Sequence, residues 1–175
     1  RIIELGTGSG AIAVSLAHSL SRESGVTPFI YATDISRPAL EVAQENVDRW
    51  NMGEFVQLLE GDLYSALPAG LEGGIDVIVS NPPYIPTDEL KELAPEIVRY
   101  EPLGALDGGA DGLAFYPRIF AEGRKYLRSG GFVAVEIGHG QGQAVIATAR
   151  DLGYTELELH RDYGGRERVV TAAWR

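Results

Sequence analysis

Four consecutive residues, Asn81, Pro82, Pro83 and Tyr84, combine an amide, two rigid carbonyl-bearing residues and an aromatic ring. They follow an apolar run, residues 75–79, that predicts a buried strand. Because proline fixes φ and donates no backbone hydrogen bond, the chain must leave the sheet and turn here. The turn is expected to hold Asn81 and Tyr84 in a rigid frame. This set of groups suits the binding of a planar NH2 group next to an electrophile.

A second candidate site lies near the start of the chain, where a short apolar strand runs into a glycine-rich turn and then a helical pattern. The turn comprises Gly6, Thr7, Gly8, Ser9 and Gly10, and Glu4 precedes it. Glycines let the backbone approach a ligand, and the helix start offers free N–H groups. These glycines also fit a dinucleotide pattern. The carboxylate of Glu4 would repel a pyrophosphate but attract the amino group of a methionine moiety, which favours S-adenosylmethionine over a nicotinamide cofactor.

The ends of the next two strands carry further candidates for this cofactor site. Asp34 could accept both ribose hydroxyls of a bound nucleoside, although it could also serve as a turn or cap residue before the next helix. Ile35 follows it and is placed in the same site. Asp62 could accept from an adenine amino group and Leu63 could pack on the ring, with a plain turn aspartate as the competing interpretation.

These sites need a doubly wound sheet to position them. The predicted elements are strand 1–5, helix 9–20, strand 29–33, helix 38–50, strands 55–59 and 75–79, a loop-rich stretch 82–111, helix 112–128, strand 132–137, helix 141–152, and strands 155–160 and 167–173. Alternating strands and helices predict a mostly parallel sheet covered on both faces. The turn at 161–166 predicts an antiparallel hairpin at the end of the chain. In the long loop, Tyr100 and Glu101 could line a pocket or only pack the loop.

Composition limits the classes of function. The 175 residues suffice for one compact domain with a core, and we expect a single domain over residues 1–175. A net charge of -10 argues against a direct grip on duplex DNA. The chain has no cysteine and three scattered histidines, so we expect no metal site. No long apolar segment predicts a membrane span, and the composition fits a cytoplasmic protein.

Three segments together resemble one family. They are residues 81–85, 100–106 and 161–170, and the resemblance extends over the whole chain. It is to the HemK family of protein-(glutamine-N5) methyltransferases, which modify peptide chain release factors. DNA adenine methyltransferases share only the first segment. The resemblance implies the class I S-adenosylmethionine-dependent methyltransferase fold, with seven strands and an antiparallel C-terminal strand. Family members also carry a small helical N-terminal domain, which we expect to be absent from this chain.

The resemblance also implies roles for the residues. Gly6 to Gly10, Asp34, Leu63 and Asn81 would line the cofactor site, and residues 81–84 would hold the glutamine of a Gly-Gly-Gln motif. We expect Asn81 Oδ1 and the Pro82 carbonyl to accept the two amide N–H groups, with Tyr84 packed on the amide plane. The product of the cofactor would be S-adenosylhomocysteine.

Four other functions stay open at this point. A glutamine of a ribosomal protein, or the N6 of adenine in a nucleic acid, could be the methyl acceptor. An NAD-dependent oxidoreductase would explain the glycines but not the residues at 81–84. A cofactor-binding module without chemistry is the non-enzymatic alternative.

Overall fold

The structure is a computed structural model that describes residues 1–23, 26–93 and 102–175. Tyr100 and Glu101, the predicted pocket-wall residues, lie outside these ranges. The strands are β1 (Ile2–Leu5), β2 (Ile30–Asp34), β3 (Val56–Glu60), β4 (Ile75–Ser80), β5 (Leu127–Glu136), β6 (Thr155–Arg161) and β7 (Glu167–Ala173). The α-helices are α1 (Ala11–Glu23), α2 (Arg37–Arg49), α3 (Phe115–Tyr126) and α4 (Gly142–Asp151), and two 3₁₀ helices cover Thr87–Glu92 and Leu103–Ala105.

The seven strands form one sheet in the order β3-β2-β1-β4-β5-β7-β6. Strand β1 pairs in parallel with β2 and with β4, and β2 pairs in parallel with β3. The register sets Leu5 opposite both Thr33 and Ser80, so these three strands end together at one edge. Strands β6 and β7 pair antiparallel. The predicted doubly wound sheet with an antiparallel C-terminal hairpin is confirmed.

The chain divides into two compact units, and the single domain predicted from composition stays a prediction. Unit 1 comprises Arg1–Ser80 and Lys125–Phe132. Its core forms between β1–β3 and the inner faces of α1 and α2, because apolar side chains recur at helical spacing on one side of each helix. The buried members are Ile2, Ala13, Val14, Ala17, Ile30, Ala32, Val47, Met52 and Val56.

Unit 2 comprises Asn81–Arg124 and Val133–Arg175. Its largest fully buried side chains include Tyr116 and Phe120 of α3. Tyr154 packs edge-on against the Phe120 ring, and its hydroxyl donates to the Phe120 carbonyl at 2.9 Å. The buried Tyr154 hydroxyl therefore has a hydrogen-bond partner, as buried polar groups generally do.

Strand β5 differs most from its predicted bounds. Ser129, Gly130 and Gly131 separate the predicted helix, which ends at residue 128, from the strand predicted at 132–137. In the structure, β5 begins at Leu127, directly after the last residue of α3. Gly131 lies within the strand and close to the neighbouring backbone. A Cβ at this position would lie 2.9 Å from the carbonyl oxygens of Ile75 and Asp76, so only glycine fits without a shift. Glycine here permits a close backbone approach instead of marking a turn.

Candidate functional site

The glycine-rich turn after β1 forms the predicted close-approach loop. Gly6, Gly8 and Gly10 have φ values of 68°, 56° and 76°, which glycine adopts without steric cost. The Thr7 N–H donates to the Thr33 carbonyl at 2.9 Å and so ties the loop to β2. A Cβ at Gly6 or Gly8 would meet no atom within 4 Å, whereas one at Gly10 would lie 3.1 Å from Ala43 Cβ. The first two glycines therefore border open space, and the third packs against α2.

Glu4 is a buried carboxyl beneath this loop. Its side chain is 1% exposed, and Oε2 accepts a 2.7 Å hydrogen bond from the Thr7 hydroxyl. Burial raises the pKa of Glu4 to about 7, against the opposing effect of the Thr7 hydrogen bond. The group is therefore poised between its two protonation states near neutral pH. A cationic amino group placed beside it would favour the ionised form.

Asp34, at the end of β2, accepts two backbone hydrogen bonds. Its Oδ2 accepts from Gly8 N at 2.8 Å and its Oδ1 from Ser36 N at 2.8 Å. The carboxylate thus links the glycine loop to the start of α2, where Ser36 is the N-cap residue. Each carboxylate oxygen retains acceptor capacity for a further donor. The turn role is present, and the ribose role stays a prediction; Ile35 beside it is 72% exposed.

The corner after β3 carries the other two predicted cofactor residues. Asp62 is exposed, and its carbonyl accepts from Ser65 N at 3.0 Å in a tight turn. Leu63 is only 7% exposed and has a φ of 48°, an uncommon conformation for a residue with a side chain. Such conformations persist where the surrounding structure enforces them, and they often mark ligand sites. The adenine roles of both residues stay predictions.

The end of β4 is locked to β1 immediately before the proline turn. The buried Ser80 hydroxyl donates to the Leu5 carbonyl at 2.8 Å. Asn81 is the next residue in the chain and is exposed. Across residues 1–23, 26–93 and 102–175, no hydrogen bond involves the Asn81 side chain. Its amide is therefore available to a bound group.

The proline turn lines a small cavity of about 210 Å³. Its lining residues are Asn81, Pro82, Pro83, Tyr84, Ile85, Ala105 and Leu106. The segment after the turn is held by hydrogen bonds from Ile85 N to the Leu106 carbonyl at 3.0 Å and from Gly108 N to the Ile85 carbonyl at 2.8 Å. Pockets for drug-sized ligands hold about 300–1,000 Å³, so this cavity suits a single side chain.

Tyr84 is fixed at its hydroxyl end. The hydroxyl donates to Glu136 Oε1 at 3.3 Å, and Glu136 is the last residue of β5. Burial, followed by the charge of Glu136, raises the pKa of Tyr84, so the phenol stays neutral and keeps its proton as a donor. Together with Ile85, Tyr84 also lines a second cavity of about 520 Å³.

Two residues whose side chains contact Tyr84 were not predicted from the sequence. Glu136 is one, and Gln141, whose side-chain amide reaches the Tyr84 carbonyl at 2.9 Å, is the other. The available signal was the segment 138–141, in which two glycines flank His139 before a polar residue directly after a buried strand. Glycines at the carboxyl end of a strand indicate close backbone approach, as they do after β1.

Within the ranges that the structure describes, no three acidic or histidine side chains come together in a way that could hold a metal ion. None of the described helices is long and apolar enough to span a membrane.

Known proteins are similar to this chain in sequence. A family model described as "Methyltransferase small domain" matches residues 1–101. A protein of Gloeobacter violaceus named "Release factor glutamine methyltransferase" is 46% identical over 99% of this chain and 59% of its own length. One of the same name from Moorella thermoacetica is 49% identical over 98% of this chain and 58% of its own. The chain therefore spans less than two thirds of the length of these relatives.

Solved structures share the fold. A methyltransferase from Pyrococcus furiosus superposes with a TM-score of 0.68 at 21% identity, covering 98% of this chain and 73% of its own. The N-terminal domain of human METTL16, solved in complex with SAH, superposes with a TM-score of 0.68 at 19% identity. It covers 100% of this chain and 61% of its own. The predicted class I methyltransferase fold is confirmed by these neighbours and by the order of the sheet.

Proposed function

Because this chain belongs to the methyltransferase small domain family, we propose that it transfers a methyl group to the side-chain amide nitrogen of a protein glutamine. The methyl donor is S-adenosylmethionine, and the acceptor is the glutamine of the Gly-Gly-Gln motif of a peptide chain release factor. The names of the two relatives support the choice of acceptor. Release factors act in the cytoplasm, so the proposal places the enzyme there.

One observation carries the proposal, namely the cavity formed by residues 81–85. The residues that line it include Asn81, which is exposed, two prolines and the aromatic residue Tyr84. A glutamine amide needs acceptors for two N–H groups and a flat surface for its plane. Asn81, the prolines and Tyr84 supply these groups around a space of about 210 Å³, which accommodates a glutamine side chain.

The residues around the glycine loop fit S-adenosylmethionine. The open space beside Gly6 and Gly8 leaves room for a ligand against the backbone. The buried Glu4 carboxyl suits the cationic amino group of the methionine moiety, because such a partner offsets the cost of ionising it. Asp34 is assigned to the ribose hydroxyls. The human neighbour solved with SAH supports this class of ligand.

When bound, this cofactor supplies an electrophilic methyl group on a sulfonium. The residues of the chain then have to orient a weak nucleophile, because the lone pair of an amide nitrogen is delocalised into its carbonyl. Asn81 Oδ1 and the Pro82 carbonyl accept one amide N–H each, which fixes the nitrogen and increases its electron density. Tyr84 packs on the amide plane and excludes water. Holding reactants in this way can lower a barrier by about 7–11 kcal/mol. The nitrogen then releases one proton to solvent.

The test is methyl transfer from labelled S-adenosylmethionine to a purified release factor. A second sample carries a Gln→Ala change in the Gly-Gly-Gln motif, and duplex DNA and ribosomal proteins serve as further acceptors. We expect label on the native release factor and none on its variant.

Three results would contradict the proposal in distinguishable ways. Label on a ribosomal protein alone would support glutamine methylation but reject the release factor as the acceptor. Label on the adenine of DNA would show that the enzyme methylates a nucleic-acid base and not a protein glutamine. Absence of cofactor binding by calorimetry would overturn the assignment of residues 4–10.

A further inference from the structure

The side-chain amide of Gln141 forms hydrogen bonds at both its nitrogen and its oxygen within unit 2. Its Nε2 donates to the Tyr84 carbonyl at 2.9 Å and to the Gly112 carbonyl at 3.2 Å. Its Oε1 accepts from Gly138 N at 2.8 Å and lies 3.2 Å from the Tyr116 hydroxyl. The Tyr116 hydroxyl has one proton and also lies 3.1 Å from the Glu136 carbonyl oxygen, so both donors and one acceptor site of the Gln141 amide are used without it. The orientation of the amide is therefore fixed, since the reverse orientation would set an oxygen against two carbonyls.

The surroundings of Gln141 are closely packed. A Cβ at Gly138 would lie 2.9 Å from Gln141 Oε1 and 3.1 Å from Tyr84 Cδ2. A Cβ at Gly112 would overlap the Tyr84 carbonyl oxygen and lie 2.5 Å from Gln141 Nε2. Tyr116, whose hydroxyl faces Gln141, is 1% exposed. The segment 138–141 and the residues near 112 thus contact Tyr84 through this one side chain and through glycine backbone.

We propose that Gln141 is a positioning residue that sets the proline turn for substrate. It acts through the main chain of Tyr84, while Glu136 holds the hydroxyl of the same residue. Tyr84 is thereby held at its carbonyl and at its ring tip. Two attachments, on opposite ends of one residue, restrain both the path of the turn and the rotation of the ring.

The consequence for catalysis rests on the proposed function. The acceptors assigned to the glutamine amide, Asn81 Oδ1 and the Pro82 carbonyl, lie within three residues of Tyr84 in the chain. A displacement of the Tyr84 carbonyl changes the geometry of the turn and of these acceptors. A misplacement of 1 Å can lower a rate about 100-fold. Gln141 is therefore expected to affect turnover through the main chain of Tyr84.

Gln141→Glu tests this, with Gln143→Glu as the matched control. The first change replaces the NH2 that faces two carbonyls by a charged oxygen, and it keeps the size of the side chain. The control introduces the same charge two residues away, at an exposed position of α4. We expect kcat for methyl transfer to fall about 10- to 100-fold in Gln141→Glu, with the dissociation constant of S-adenosylmethionine unchanged within about twofold. Gln143→Glu should match the native protein. Gln141→Met, which is neutral and of similar length, should behave like Gln141→Glu.

A second readout does not depend on activity. Hydrogen exchange of the Ile85 and Gly108 amides, which hold the segment after the turn, should become about tenfold faster in both Gln141 variants. Exchange of Ile30 N in the sheet of unit 1 should not change. Native-like kcat, or native-like exchange at Ile85 and Gly108, in correctly folded variants would overturn the inference. If the native protein methylates no acceptor, the proposed function fails, and the exchange result still decides the role of Gln141.

Discussion

Asn81 and Tyr84 are three residues apart but differ in how strongly they are held. Asn81 is exposed, and within the described ranges its amide bonds to no protein group. Tyr84 is half-buried and bonded at both its carbonyl and its hydroxyl. One end of the turn is thus available for binding, and the other is organised before substrate arrives. This difference suits a site that orients its ligand, because residues that are ordered before binding lower the entropy cost of binding.

Asn81→Ala should separate turnover from cofactor binding. In the proposed function the substrate amide then loses one of its two acceptors and its orientation, so we expect kcat to fall about 100-fold or more. The dissociation constant of S-adenosylmethionine should change by less than about threefold. Single-turnover methyl transfer and calorimetry measure the two quantities, and Gln143→Ala is the control. Equal losses in both quantities would count against the assigned role.

Residue-scale prediction from sequence succeeded or failed according to how local the signal was. Gly6 to Gly10 and Asp34 follow strand ends directly, so the chain alone indicates that they meet at one edge. Gln141 lies 57 residues from Tyr84, so the glycines of segment 138–141 could indicate a close backbone approach but not which residue takes part in it. Glu136 was predicted inside a strand, and nothing in the sequence indicates that its carboxylate meets Tyr84.

Among the elements, the connection between β4 and α3 depends on close backbone contact. Gly112 has a φ of 74°, and an added Cβ would overlap the Tyr84 carbonyl oxygen. Gly108 is similar, since its Cβ would lie 2.8 Å from Tyr84 Cα. The connection therefore packs its glycine-rich end directly on the proline turn.

Gly112→Ala should destabilise the protein by about 2 kcal/mol or more. A left-handed conformation costs a side-chain-bearing residue about 1–2 kcal/mol, and relief of the overlap costs more. Gly104→Ala is the matched control, because a Cβ there would meet no atom within 4 Å. Urea denaturation measures both free energies of unfolding. Equal stability of the two variants would contradict the close approach.

Element boundaries show where the sequence pattern is ambiguous. Strands β1 to β4 were predicted within one residue at each end because apolar runs and glycines bound them. Strand β5 was predicted to begin five residues late, because Gly130 and Gly131 are typical of turns. In the structure these glycines lie within the strand. Position 131 requires glycine because a side chain there would collide with the carbonyl oxygens of residues 75 and 76. A tertiary contact of this kind cannot be predicted from local composition.

Across the whole molecule, Glu4 couples folding to pH. Its pKa is raised to about 7 by burial, from an ordinary value of 4.5. Between these two values the folded chain holds a proton that the unfolded chain has released. The free energy of unfolding therefore decreases as pH rises through this window. The pKa shift changes the free energy of unfolding by at most about 3 kcal/mol, since a pKa difference of one corresponds to about 1.36 kcal/mol.

Glu4→Gln should remove this contribution. The variant cannot ionise, so its stability relative to the native protein should increase from pH 5 to pH 8 by up to about 3 kcal/mol. Urea unfolding at both pH values, without cofactor, measures the difference. Glu60→Gln, an exposed residue on β3, is the control for loss of one charge. A relative stability that does not change with pH would contradict the raised pKa.

The direct passage from α3 into β5 also limits changes in chain length. Tyr126 ends the helix and Leu127 begins the strand, so no connecting residue separates them. From Gly131 to Val135, every second residue of β5 is buried, while Phe132 between them is 39% exposed. If one residue were gained or lost at the junction, the strand would shift by one residue, and its buried side chains would move to the opposite face of the sheet. The hairpin at 161–166 has turn residues to absorb such a change, and the α3–β5 junction has none. Natural length variation in this chain should therefore accumulate at the hairpin and avoid the junction.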